Sequence, residues 1–178
     1  MNALCKICHR PKPNLVCDLC QCEVCKACVV TQKSGSFLFL EPLPPALSHQ
    51  RYCANCYDRE VAPTRAEYDR LIEAAKQVCV FVKGQSQETR FYRRLEKPLK
   101  VSGGDDRAET LLRLAFLAAR AGFNGLLDVD IQYKKIRQGA YQSTLWEGTG
   151  VPTQLDEARL DRLAQPGKIL LPRAPLLK

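Results

Sequence analysis

Beyond residue 63 the apolar side chains recur with regular periods; before it they stand in short runs among cysteines and prolines. Tyr68, Leu71, Ile72 and Ala75 return at helical spacing and predict one apolar helix face. Thr64-Arg65-Ala66-Glu67 has the form of a capping box just after Pro63, which predicts a connecting helix over residues 63–77 starting there. Val78-Cys79-Val80-Phe81-Val82 reads as a buried strand with Cys79 in the core. Asp105-Asp106 opens the strongest helical pattern, with acidic groups at the positive end of the helix dipole. Leu111, Leu114, Ala115, Ala118 and Ala119 share its face, and Gly122 supplies the stop. Two strands follow, Leu126–Ile136 and Ala140–Glu147, joined by Arg137-Gln138-Gly139. Leu127, Val129, Ile131 and Tyr133 alternate with Asp128, Asp130, Gln132 and Lys134, which predicts a sheet with one wet face. The order strand, strand, helix, hairpin gives an α+β domain over residues 78–164. The remaining residues, 165–178, form a proline-rich, apolar and basic tail, suited to an extended partner-binding strip or to fraying.

The first 62 residues follow a different logic. Nine of the ten cysteines lie between Cys5 and Cys56, and both histidines, His9 and His49, fall in the same stretch. Eight of these cysteines form four Cys-x-x-Cys pairs: Cys5/Cys8, Cys17/Cys20, Cys25/Cys28 and Cys53/Cys56. Two cysteines at that spacing can turn both sulfurs toward one tetrahedral ion. The competing reading, a disulfide scaffold, needs an oxidising compartment; the N-terminus carries neither the basic start nor the apolar core of a signal peptide. No apolar run approaches the roughly 20 residues that span a bilayer, so the expected location is cytoplasmic, with a peripheral membrane association as the variant. Only four residues separate the second pair from the third, which makes it awkward for adjacent pairs to share an ion and favours interleaving. The expected ligand sets are Cys5, Cys8, Cys25 and Cys28 for a first Zn²⁺ and Cys17, Cys20, Cys53 and Cys56 for a second. With four protein ligands each, both sites are closed and structural rather than catalytic. Cys22 reads as a small buried filler, and His9 and His49 as surface residues. Phe37-Leu38-Phe39-Leu40, followed by Glu41-Pro42-Leu43-Pro44-Pro45, reads as a core strand and a proline-stiffened loop.

The four-residue gap and the closing Arg51-Tyr52-Cys53-Ala54-Asn55-Cys56-Tyr57 resemble the FYVE zinc-finger family over about residues 3–60. The resemblance implies a small cross-braced double zinc finger and, in the family's phosphoinositide-binding members, a basic motif running into the second pair. Here that stretch is Pro13-Asn14-Leu15-Val16-Cys17-Asp18-Leu19-Cys20, without a basic residue and with an added Asp. Arg51 is the one remaining candidate for ligand contact. The family's upstream Trp-x-x-Asp element is absent.

Charge adds one constraint. Of the net +8, residues 1–63 carry 7 basic and 5 acidic side chains and residues 64–178 carry 20 and 14; eight thiolates around two dications take the first part to about −2. A polyanion-binding surface would therefore belong to the second part, where Arg90, Arg93, Arg94, Lys97 and Lys100 are interleaved with Phe91 and Tyr92; a charged edge strand explains the same residues. Ala121-Gly122-Phe123-Asn124-Gly125, Val129-Asp130-Ile131-Gln132-Tyr133 and Trp146-Glu147-Gly148-Thr149-Gly150-Val151 resemble the bacterial YbjQ-like family over about residues 107–152. That resemblance implies homo-oligomeric rings and a heavy-metal label for which this part offers no Cys or His past Cys79; Asp128 and Asp130 read as a solvated face. No nucleophile–base pair, phosphate loop or open metal site is present, so the expected function is non-enzymatic: a FYVE-like module engaging a protein partner, with the α+β domain as an assembly platform. The alternatives are an adaptor for phosphoinositides or other anionic lipids, and nucleic-acid binding through the basic second half.

Overall fold

A computed structural model describes residues 4–11, 13–84, 89–139 and 141–156; the expected tail at 165–178 lies outside them. The chain divides into two compact units, Met1–Arg70 and Leu71–Lys178, the division falling inside the helix expected at 63–77.

The first unit has little regular structure. Two short ladders, β1 (Leu15–Val16) with β2 (Glu23–Val24) and β3 (Val29–Thr31) with β4 (Arg51–Cys53), are both antiparallel. Its buried apolar side chains are Val24, Phe37, Phe39, Leu47, Tyr52, Val61 and Tyr68. Phe37 and Phe39 are buried as expected, but they sit in a turn, not a strand, which leaves Leu38 47% exposed. Tyr68 holds the turn: its ring meets that of Phe37 edge-on at 5.3 Å, and its Oη accepts from the Phe39 N–H.

Helix formation begins ten residues before the expected capping box. Cys53 is the N-cap, its sulfur accepting from the Cys56 N–H, and helical structure runs from α1 (Ala54–Cys56) through a π turn (Tyr57–Val61) into α2 (Ala62–Gln77). The Ala62 N–H reaches back five residues to the Tyr57 carbonyl. This wider turn immediately precedes Pro63, whose ring and missing N–H would otherwise break an α-helix. Thr64, read as the cap, instead donates its hydroxyl to the Glu60 carbonyl.

The second unit is α+β, as expected. A four-stranded sheet has the order β5-β7-β8-β6, with β5 (Cys79–Val82) parallel to β7 (Gly125–Gln138) and β8 (Tyr141–Thr153) antiparallel to both β7 and β6 (Leu99–Gly104). Helix α3 (Arg107–Arg120) starts on Asp106, whose carboxylate accepts from the Glu109 N–H. It ends in a Schellman turn, in which Phe123 N–H donates to Ala118 O and Gly122 N–H to Ala119 O; Gly122 takes the left-handed conformation, φ +84°.

Both hairpin strands are longer than expected, and β8 runs six residues past Glu147. The simple alternation also fails at a bulge between Leu127 and Asp130, where Asp128 adopts φ 51°. Leu126 and Leu127 are consecutive and both fully buried, so this end of the sheet is covered on two faces instead of one. Leu127, Val151, Phe81 and Leu155 form one cluster, with half-buried Cys79 and Tyr92 against it. On the other face Gly148 admits α3: a Cβ there would lie 2.9 Å from both Leu114 Cδ1 and Thr110 Cγ2. Gly148→Val should therefore destabilise this unit by about 1–3 kcal/mol, the usual cost of overpacking, measured as a lowered denaturation midpoint followed by the near-ultraviolet signal of Trp146.

Candidate metal centres

The eight paired cysteines gather into two groups, Cys5/Cys8/Cys25/Cys28 and Cys17/Cys20/Cys53/Cys56, in each of which all sulfurs lie within 4.8 Å of one another. These are the sets expected from the spacing. Each could hold one metal ion. Neither His9 nor His49 enters either group.

The two groups are built on one frame. In the first, Cys5 N–H donates to Arg10 O and His9 N–H to Cys5 O, both at 2.9 Å; in the second, Cys17 N–H donates to Cys22 O at 3.0 Å and Gln21 N–H to Cys17 O at 2.9 Å. His9 and Gln21 occupy the same left-handed position, φ 57° and 59°. The residue after the first cysteine then ties each knuckle to the strand that leads into its partner pair. Lys6 N–H donates to Glu23 O, two residues before Cys25; Asp18 N–H donates to Arg51 O, two residues before Cys53. The spacing of Cys-x-x-Cys suggests a knuckle, but the duplicated tether joins positions 17 and 33 residues apart in sequence and leaves no local signal.

The frame also explains Cys22. It stands where Arg10 stands in the first knuckle; its carbonyl closes the turn, and its N–H bonds the Cys20 sulfur. Burial first, and then the neighbouring Cys20 and Cys53 sulfurs, push its own thiol up to about 12.

Asp18, noted in sequence as an unfavourable neighbour for a phosphate, is part of the same tether. Its Oδ2 accepts from the Arg51 N–H at 2.9 Å and the Gln50 N–H at 3.4 Å, while Oδ1 takes the Arg51 guanidinium at 3.0 Å. The Arg51 hydrogen bonds hold the Asp18 carboxyl below the usual carboxylate range. Arg51, the one candidate for ligand contact, thus has an internal partner. In the second unit Asp128 is engaged by the Arg94 guanidinium, which also donates to the Tyr92 carbonyl and Thr89 hydroxyl. Asp130 meets Lys83 at 3.5 Å and Gln132 at 3.1 Å. Both carboxylates therefore face cationic or amide groups, and Arg94 is a pin on the bulge rather than a member of an open basic strip.

Four sulfurs this close cannot all be thiolates unless a cation sits among them. In each group one sulfur is favoured as the thiolate and another is held protonated. Backbone N–H groups, that of Cys8 foremost, lower Cys5 to about 6; the Cys22 N–H does the same for Cys20, to about 6. Their neighbours hold protons: the hydrogen bond to Cys8, then burial, raises Cys28 to about 12, and burial with the Cys20 and Cys53 sulfurs raises Cys56.

No family model, curated protein or solved structure matches the chain.

The thiol pattern sets a pH dependence. At neutral pH Cys5 and Cys20 are already ionised, whereas an entering metal must displace protons from Cys28 and Cys56. Apparent metal affinity should therefore rise with pH through the neutral range. It should fall more steeply below about 6, where Cys5 and Cys20 also take up protons. Chelator competition over a pH series, with proton release measured by calorimetry in two buffers, checks both the sign and the change of slope.

Proposed function

We propose that this chain is a non-enzymatic zinc protein, whose FYVE-like first unit engages a protein partner and whose YbjQ-like second unit serves as an assembly platform, in the cytoplasm. The observation that carries the reading is the gathering of eight cysteine sulfurs into two closed groups of four on one repeated frame. Zinc fits the donors. A Zn–S distance near 2.3 Å implies sulfurs about 3.8 Å apart around a tetrahedral ion, and the Cys8–Cys25 and Cys20–Cys53 sulfurs are 3.6 and 3.8 Å apart. Four thiolates complete the coordination shell and leave no position for a substrate or an activated water. The metal's contribution is then to folding: about 10–16 kcal/mol for a structural zinc, in a unit with few buried side chains.

The partner reading is favoured over lipid by the Asp18–Arg51 pair, since binding a phosphate there would mean breaking an existing ion pair beside a carboxylate. It is favoured over nucleic acid by the commitment of Arg94 to Asp128. Among the described residues no helix is long and apolar enough to cross a membrane. For assembly, the support lies in the hairpin. β5 covers β7 only as far as Val129 and β6 covers β8 only from Trp146 to Gly150, so Lys134–Gln138 and Tyr141–Leu145 pair only with each other among the described residues. Tyr133 and Ile136 are exposed on the same arm.

Elemental analysis should find two zinc ions per chain, and Cys53→Ser should lose the second while its hydroxyl still caps the start of α1. Chelation should abolish the structure of the first unit and leave the circular dichroism of the α+β unit in place. A partner captured by the intact chain should be lost from Cys25→Ser. Vesicles containing phosphatidylinositol 3-phosphate should retain the protein no better than vesicles without it; headgroup-dependent retention would sink the reading.

A further inference from the structure

The ladder β3–β4 has one occupied edge and one open edge. Gln32 N–H donates to Gln50 O at 2.8 Å, so in this register Val30 also faces its partner Tyr52, while the main-chain groups of Val29 and Thr31 turn outward. On β4 the matching outward groups belong to Arg51, and Asp18 takes both of them: its N–H donates to the Arg51 carbonyl and its carboxylate accepts from the Arg51 N–H. On β3 the outward groups of Val29 and Thr31 have no backbone partner among the described residues.

Beyond the Thr31–Arg51 end of this ladder lies a cavity of about 340 Å³, lined by Gln32 and Gln50 from the two strands' continuations. Gln32, the residue after β3, lines it, and the Gln32 Oε1 is buried without a hydrogen-bond partner. Buried Phe37 and Leu47 line it together with Leu38 and Leu43, which are 47% and 42% exposed and give it an apolar, solvent-reachable rim. Lys33 and Glu41 line it as well, one of each sign, so the mouth favours neither charge. A strand edge offering N–H and C=O groups, an orphaned amide acceptor next in sequence and an apolar rim share one complement. It is a peptide backbone carrying an apolar side chain.

We infer that β3 and this cavity form the docking site of the first unit for an extended peptide of a partner protein. The peptide adds a third strand against Val29 and Thr31, donates an N–H to Gln32 Oε1 and seats an uncharged apolar side chain between Leu38 and Leu43. This rests on the reading of the first unit as a protein-interaction module and gives that module its surface.

The test pans a displayed library of random peptides against the zinc-loaded full-length chain, then titrates the best-enriched peptide by calorimetry. Thr31→Pro removes an outward N–H without touching the ladder, and Leu38→Asp charges the rim; zinc content shows that each variant is loaded. Each should weaken binding at least about tenfold, whereas Leu95→Asp in the second unit should leave it unchanged. In the unaltered chain, amide exchange at Val29 and Thr31 should slow when the peptide is bound. Peptides that bind both variants as well as the parent, with no change in exchange at Val29 and Thr31, overturn the site; if their binding is still lost in Cys25→Ser, the interaction module itself stands. Enrichment of no zinc-dependent peptide overturns both. Binding to phosphatidylcholine–phosphatidylserine vesicles that Leu38→Asp abolishes and Thr31→Pro spares would overturn the peptide site in favour of a membrane-inserting tip.

Discussion

Thiolates repel one another, and the first unit packs eight cysteines so that in two places four sulfurs lie within 4.8 Å. Without a cation most of those sulfurs must hold protons; with one, all four can bond to it, and the crowding changes from a cost into the main cohesive term. The rest of the unit serves this constraint. Ladders of two and three residues are too short to persist alone, yet each ends at a cysteine pair or leads into one. The helix likewise begins on one of these cysteines, because the Cys53 sulfur accepts from the Cys56 N–H.

The two units use their sequence motifs differently. In the first, the motif residues are the candidate metal ligands and the tethers between them. In the second, the small-residue motifs that prompt a family resemblance serve packing. Gly122 ends α3, and the Asn124 side chain both donates to the Leu155 carbonyl and accepts from its N–H. Gly125 leaves room for Leu155, Gly148 lets Thr110 and Leu114 of α3 approach the sheet, and Gly150 leaves room for Val129 of the neighbouring strand. None of these residues offers a soft metal a donor, so the chemistry of the protein is concentrated before residue 57.

The cysteine partition was legible because covalent spacing limits it: pairs two residues apart, with a gap of four between the second and third, have few ways to close. The α+β order and the caps of α3 were legible because Asp106 and Gly122 act locally. Thr64 misled because a capping box is also local, and nothing near it reports that a helix already under way from Cys53 can pass Pro63 on a π turn. The one-faced sheet misled because the bulge at Asp128 is held by Arg94, 34 residues earlier in the chain. Cys22 and Asp18 became intelligible only when the two knuckles could be laid side by side; each looks anomalous in sequence and ordinary in its frame.

Interleaving also fixes an order of events for a chain made from its N-terminus. Cys25 and Cys28 lie inside the loop between Cys20 and Cys53, and Cys17 and Cys20 lie inside the loop between Cys8 and Cys25. The first set of four is therefore complete while the second still lacks half its thiols. The hydrogen bonds of the Cys17 knuckle need nothing beyond Cys22. Only with Cys53 and Cys56 is the second set of four complete, and the first residue of the helix follows Cys53 directly. The threading of the loops thus sets the order in which the two candidate sets become complete, first before second, without any difference between the sets themselves.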